Sequence, residues 1–106
     1  MNSVTGGPSG NAVADRAYPN ARHPGVPPQW NLSKVIATVA EANPDWTKER
    51  LVTAEIDYRH YLQLRSVAPE GEFHPAPDAN EVWRIHTTDT EDYQAFCQEY
   101  FGYLLS

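Results

Sequence analysis

Leu32, Val35, Ile36 and Val39 recur at three- and four-residue spacing, which makes one apolar stripe and predicts a helix over 32–42. Asn31 is its expected N-cap, and Asn43-Pro44 ends it, because a residue before proline is pushed out of the helical region. A second helix is predicted over 46–66, with Leu51, Ala54, Tyr58, Tyr61, Leu62 and Arg65 on one face. Pro69 and Gly71 break it, and 67–77 reads as a loop whose course is set by Pro69, Pro75 and Pro77. A short third helix is predicted after Asp78. Asp78 is its expected cap with Glu81 three residues on, and Val82, Trp83 and His86 share a face. The run 87–90 (Thr-Thr-Asp-Thr) interrupts it, since such side chains compete for backbone hydrogen bonds. The fourth helix has the clearest stripe, with Tyr93, Phe96, Cys97, Tyr100, Phe101 and Leu104 in register over three turns. Asp89 or Thr90 caps it, and it either ends at Gly102 or frays through 103–105.

The segment ahead of these helices reads differently. Residues 1–28 hold five of the nine prolines and four of the six glycines, with almost no large aliphatic side chain. Such a segment cannot bury enough apolar surface to offset its ordering entropy. The expected organisation is therefore a flexible tail over 1–29 and one helical domain over 30–106. The fold class is all-α, a small bundle of three to four helices.

Charge narrows the function classes. The chain of 106 residues carries a formal charge of −6, and from Glu70 onward the only basic side chain is Arg84. A surface of that sign repels phosphate backbones and anionic membranes, so neither nucleic acid nor membrane is expected as a partner. The lone cysteine, Cys97, rules out an internal disulfide. With no secretory-type start in the sequence, a reducing, cytoplasmic setting is expected.

The candidate chemistry centres on His86. His86 and Asp89 are three residues apart and are the candidate catalytic pair, with His86 as general base, Arg84 to orient an anion and His74 nearby. The same His86, Asp89 and His74, with Asp78 and Cys97, are possible metal donors, and Asp89, Glu91 and Asp92 form an acidic cluster more simply read as a solvated helix N-terminus. A core histidine and a helix cap explain the first two more simply, so no metal or other cofactor is expected. Cys97 lies between aromatic residues of the stripe, where a thiol behaves as a small hydrophobe. The aromatic stripe is core by default, but it is large for so small a domain. A part left exposed becomes a docking surface for a protein partner, with Trp83, Arg84, Tyr93, Tyr100 and Tyr103 as contact residues. Pairing with Glu81 or Asp92 is the plainer role for Arg84. A precursor peptide modified in its tail is a third class that the sequence permits.

The stretch DYRHYLQL, a proline-containing loop and PDANEVWRIHTTDTEDYQAFCQEYFGYLL together resemble the glycine-rich domain-containing protein-like family of small helical domains. Tyr58, Leu62, Val82, Trp83, His86, Thr90, Tyr93, Cys97, Phe101 and Gly102 fall in register with that family's pattern, over 54–105. The resemblance implies a helical fold. Where the family carries Trp-His-x-His, this chain has Trp83-Arg84-Ile85-His86. Thr87-Thr88 replaces an apolar pair, and Leu104-Leu105 stands where a His pair is common. If the family's histidines hold a metal, His86 alone does not suffice here.

Overall fold

The computed structural model describes residues 25–68, 71 and 73–106. Residues 1–24, and with them most of the expected flexible tail, lie outside the described residues. The domain is a small all-α bundle. Four helices follow in order: α1 (Ser33–Ala42), α2 (Lys48–Val67), α3 (Pro77–Thr88) and α4 (Thr90–Tyr100). Among the described residues no strand occurs, and no helix is long and apolar enough to cross a membrane.

α3 is the hub, packed against each of the other three helices. Its inward residues Ala79, Val82, Ile85 and His86 meet Val35 and Val39 of α1, Ala54, Tyr58 and Leu62 of α2, and Tyr93, Phe96 and Cys97 of α4 in one core. α2 uses the anticipated face, and its register runs through Ser66. Its opposite side leaves Val52, Ile56 and Leu64 exposed.

Capping decides where the helices start and stop. The Asn31 side chain accepts from Ser33 N (2.9 Å), so it serves the first turn of α1 although Leu32 occupies the cap position. Asn43 caps the far end of α1. Its Nδ2 donates to the Val39 carbonyl (2.9 Å) and to Glu81 Oε2 of α3 (3.0 Å), tying the two helices. α2 begins at Lys48 because Thr47 Oγ1 accepts from Arg50 N (3.1 Å).

α3 departs from expectation at both ends. It starts at Pro77, whose fixed φ suits the first helical position, so Asp78 lies in the first turn and pairs with Arg50 (2.8 and 3.1 Å) instead of capping. At the other end Thr87 and Thr88 remain helical. Their hydroxyls donate to the carbonyls of Arg84 (2.7 Å) and Ile85 (2.6 Å), so the competition for backbone groups is resolved inside the last turn. The break falls on Asp89, which closes α3 and caps α4 by accepting from Asp92 N (3.4 Å). α4 stops when Gly102 takes φ 86° and donates to the Cys97 carbonyl (2.9 Å). The chain then folds back and buries Leu105.

The boundary of the tail is corrected. Residues 25–29 are seated on the bundle. Gly25 N donates to Ser66 Oγ (3.0 Å), and Gln63 Nε2 donates to the Gly25 carbonyl (2.9 Å). Tyr100 donates to the Val26 carbonyl, and Arg59 Nη1 donates to the carbonyls of Pro28 and Trp30 (both 2.9 Å). Glycine- and proline-rich composition signals a segment without a core of its own. It does not register the side chains of other elements that bond its carbonyls.

Candidate functional site

His86 sits at the centre of the bundle and is 0% exposed. α3 aims it between α2 and α4, where Tyr58 and Tyr93 meet it edge-on at centroid distances of 5.9 and 5.0 Å and Phe96 at 5.5 Å. Nε2 lies 2.8 Å from Asp92 Oδ2, and Nδ1 lies 2.8 Å from the Tyr58 hydroxyl. A carboxylate only accepts, so Nε2 carries the proton. Nδ1 is then the acceptor and Tyr58 the donor. Burial holds the His86 pKa below its usual value, against the opposing pull of Asp92, which fits this neutral tautomer. Asp92 Oδ2 also accepts from Trp30 Nε1 (3.0 Å). The result is a closed chain, Tyr58 to His86 to Asp92 with Trp30 on the same oxygen. Burial pushes the Tyr58 hydroxyl well above the ordinary phenol range, so it stays protonated as the donor this chain needs.

A second polar chain runs beside it. Trp83 Nε1 donates to the Tyr93 hydroxyl (2.9 Å), which donates to the Leu105 carbonyl (2.7 Å). It pins the returning C-terminal segment between α3 and α4. Burial raises the Cys97 thiol, which is the behaviour of a packed apolar residue and not of a nucleophile.

These positions separate the expected site residues. Both ring nitrogens of His86 are committed, so neither is free to take a substrate proton or a metal. Asp89 is a cap and an ion-pair partner of Lys34 (2.9 Å). Arg84 emerges on the other side of α3 and pairs with Glu81, its Nε and Nη2 donating at 3.0 Å each. His74 is exposed on the loop before α3. Among the described residues no three His, Cys, Asp or Glu side chains are grouped as metal ligands.

The aromatic contact face is corrected in part. Tyr93 and Tyr100 are buried, because α4 turns them toward α3 and toward the 25–30 segment, and neither forms an exposed contact face. Trp83 is half-buried against Tyr61 (5.3 Å), and Tyr103 is half-buried against Phe101 (5.4 Å). What remains open is a groove of about 450 Å³ between α3, α4 and the C-terminal segment. Trp83, Tyr93 and Leu105 line it together with Arg84, Thr87 and Leu104. Leu104 is 58% exposed.

No family model, curated protein or solved structure matches the chain.

The sequence reading missed the roles of Tyr58, Asp92 and Trp30. Tyr58 was legible only as one of the apolar stripe. Asp92 had a sufficient explanation as a carboxylate favouring a helix N-terminus. Its signal was positional: six residues after His86, with the break at Asp89 between them, it can face back toward the imidazole. Leu104 continues the α4 stripe by spacing alone, and only the turn at Gly102 brings it to the rim of the groove.

Proposed function

We propose that the domain is a binding module that docks on a partner protein through the groove edged by Trp83, Arg84 and Leu104. The observation that carries this reading is an apolar floor, with an indole and a leucine at its surface, left open beside a core into which Tyr58, Phe96, Tyr100 and Phe101 are packed. Such a surface suits an apolar anchor side chain of the partner, seated against Trp83, while Arg84 and Thr87 hold its backbone or a neighbouring polar group. The chain's formal charge of −6 disfavours nucleic acid and anionic membrane as the partner. The single buried thiol is compatible with a reducing, cytoplasmic setting. The register shared with the glycine-rich domain-containing protein-like family supports placing the chain there as a member whose first motif histidine has become Arg84.

Selection of a displayed peptide library against the full chain tests the reading. Enriched peptides are expected to share an apolar anchor and to shift the Trp83 indole N–H resonance. Leu104→Asp, at an exposed position, is expected to keep the helical spectrum and weaken those peptides by tenfold or more, roughly the loss of one buried apolar contact. Peptides that bind Leu104→Asp and Arg84→Glu as well as the parent would end the proposal.

A further inference from the structure

Residues 25–30 lie along the bundle as an extended strap, and among the described residues no backbone–backbone hydrogen bond ties them to the helices. Side chains hold the strap instead. α2 presents three of them as a ladder, Arg59, Gln63 and Ser66, at i, i+4 and i+7 on one face. Arg59 Nη1 donates to the carbonyls of Pro28 and Trp30 (both 2.9 Å). Gln63 Nε2 donates to the Gly25 carbonyl (2.9 Å), and Ser66 Oγ accepts from Gly25 N (3.0 Å). The strap therefore runs antiparallel to α2. Arg59 to Ser66 is about 10 Å along a helix, and Gly25 to Pro28 covers about 9 Å of extended chain, so the two spacings match. α4 closes the other side, where Tyr100 donates to the Val26 carbonyl and Asp92 accepts from Trp30 Nε1 (3.0 Å). The bonds to the strap's backbone go to its carbonyls, Gly25 N excepted, so proline at 27 and 28 leaves no donor missing.

A peptide bound in trans is held in the same way: donors reach its carbonyls, prolines keep it extended and an aromatic side chain anchors one end. The four helices do not need the strap to close their core. The cluster of buried apolar residues that joins them starts at Leu32 and draws none from 25–30, and Trp30 only packs against it. Val26, Pro27 and Gln29 face solvent, and Asn31 alone links the strap to Leu32. We infer that α2 and α4 form a seat for an extended, proline-containing segment that ends in an aromatic residue. Residues 25–30 fill this seat in cis as an autoinhibitory strap, and a partner protein's segment of the same form displaces them. The donor ladder on α2 sets the direction and register of that segment. Asp92 accepts a ring N–H at its end, which favours tryptophan there. The seat is separate from the groove edged by Trp83 and does not rest on it.

Hydrogen exchange in the full parent chain tests the strap as a detachable unit. The Gly25 amide and the Trp30 indole N–H are both bonded, and they are expected to exchange together, about tenfold or more faster than the buried α3 amides of Val82 and Ile85. A synthetic peptide of residues 24–31 is then titrated into the isotope-labelled full chain. In the parent the tethered strap competes at an effective concentration in roughly the millimolar range, so weak binding is expected. Trp30→Ala weakens the strap and leaves the seat, and it is expected to bind the peptide about tenfold tighter than the parent. Trp30→Phe keeps a ring and removes only the indole donor. It is expected to bind about threefold tighter, and it stands in if Trp30→Ala loses the helical spectrum. Adding Arg59→Gln to either variant is expected to weaken the peptide about tenfold, because two carbonyls lose a charged donor. Exchange of Gly25 and the Trp30 indole at the rate of the α3 amides would overturn the inference. Peptide binding that is no tighter in the strap-weakened variants than in the parent would do the same.

Discussion

At the scale of single residues, the sequence marks His86 as the centre of chemistry and the structure makes it the centre of the core. The difference lies in its partners. A histidine able to act as a base needs a free nitrogen within reach of substrate. Here one nitrogen donates to Asp92 and the other accepts from Tyr58, at 2.8 Å each. The imidazole therefore acts as a polar joint between α2, α3 and α4. Removing a partner from such a joint leaves a buried group unsatisfied, which costs more than an average hydrogen bond contributes. Tyr58→Phe keeps the ring packing and strips the donor from Nδ1, so a loss of about 1–3 kcal/mol in unfolding free energy is expected from denaturant titration. Tyr61→Phe is the control. Its hydroxyl accepts from Arg65 Nη1 (2.6 Å), and Arg65 is partly exposed, so water can replace the lost acceptor and a smaller loss is expected. Equal, small effects at the two positions would mean that the chain through His86 holds nothing together.

At the scale of elements, periodicity located all four helices because each buries one continuous stripe, and such a stripe depends on spacing alone. Local chemistry placed some boundaries as well. Asn43 before Pro44 ends α1, and Gly102 stops α4 in the left-handed region. Boundaries set by rivalry between neighbours were not legible. Asp78 has the features of a cap, but Pro77 beside it claims the first helical position and Arg50, 28 residues away, claims its carboxylate. Thr87 and Thr88 look like a break and are absorbed by bonds to their own helix. The groove was illegible for a related reason. Its rim needs the reversal after α4, which brings Leu104 and Leu105 back over Trp83 and Tyr93. That reversal rests on Gly102 at φ 86°. Gly102→Ala forces a side chain into a conformation it disfavours, at about 1 kcal/mol or more. The expected consequence is local: faster amide exchange over 102–106 and a weaker hold of Leu105 on Tyr93, with the exchange of α2 amides unchanged. Loss of protection spread evenly over the bundle would show that the turn is part of the global core.

For the whole molecule, the buried imidazole and the surface carboxylates divide acid sensitivity into two separate ranges. The unfolded chain returns His86 to its ordinary value of 6.5, whereas burial keeps the folded value lower. Between those two values the unfolded state binds more protons, so stability falls as pH falls from about 6.5 to the folded value and then levels off. The carboxylates behave as a second set. Asp78 beside Arg50, Glu81 held by Asn43 and Arg84, and Asp89 beside Lys34 all lie below their ordinary values of 3.8, 4.5 and 3.8. Their contribution is present above those values and is lost only as pH drops through the lower folded ones, a separate and more acidic range. These three side chains are near the surface, so added salt screens that second loss. It leaves the first, which arises from desolvation inside the core, largely in place. Thermal unfolding followed from pH 7.5 to 3 is therefore expected to fall in two steps, the upper insensitive to salt and the lower reduced by it. His86→Gln keeps a donor toward Asp92 and has no charge to gain. Whatever its absolute stability, it is expected to lose the upper step and keep the lower one. An upper step that survives in His86→Gln would assign the first acid transition to another group and leave the neutral Tyr58–His86–Asp92 chain without its thermodynamic signature.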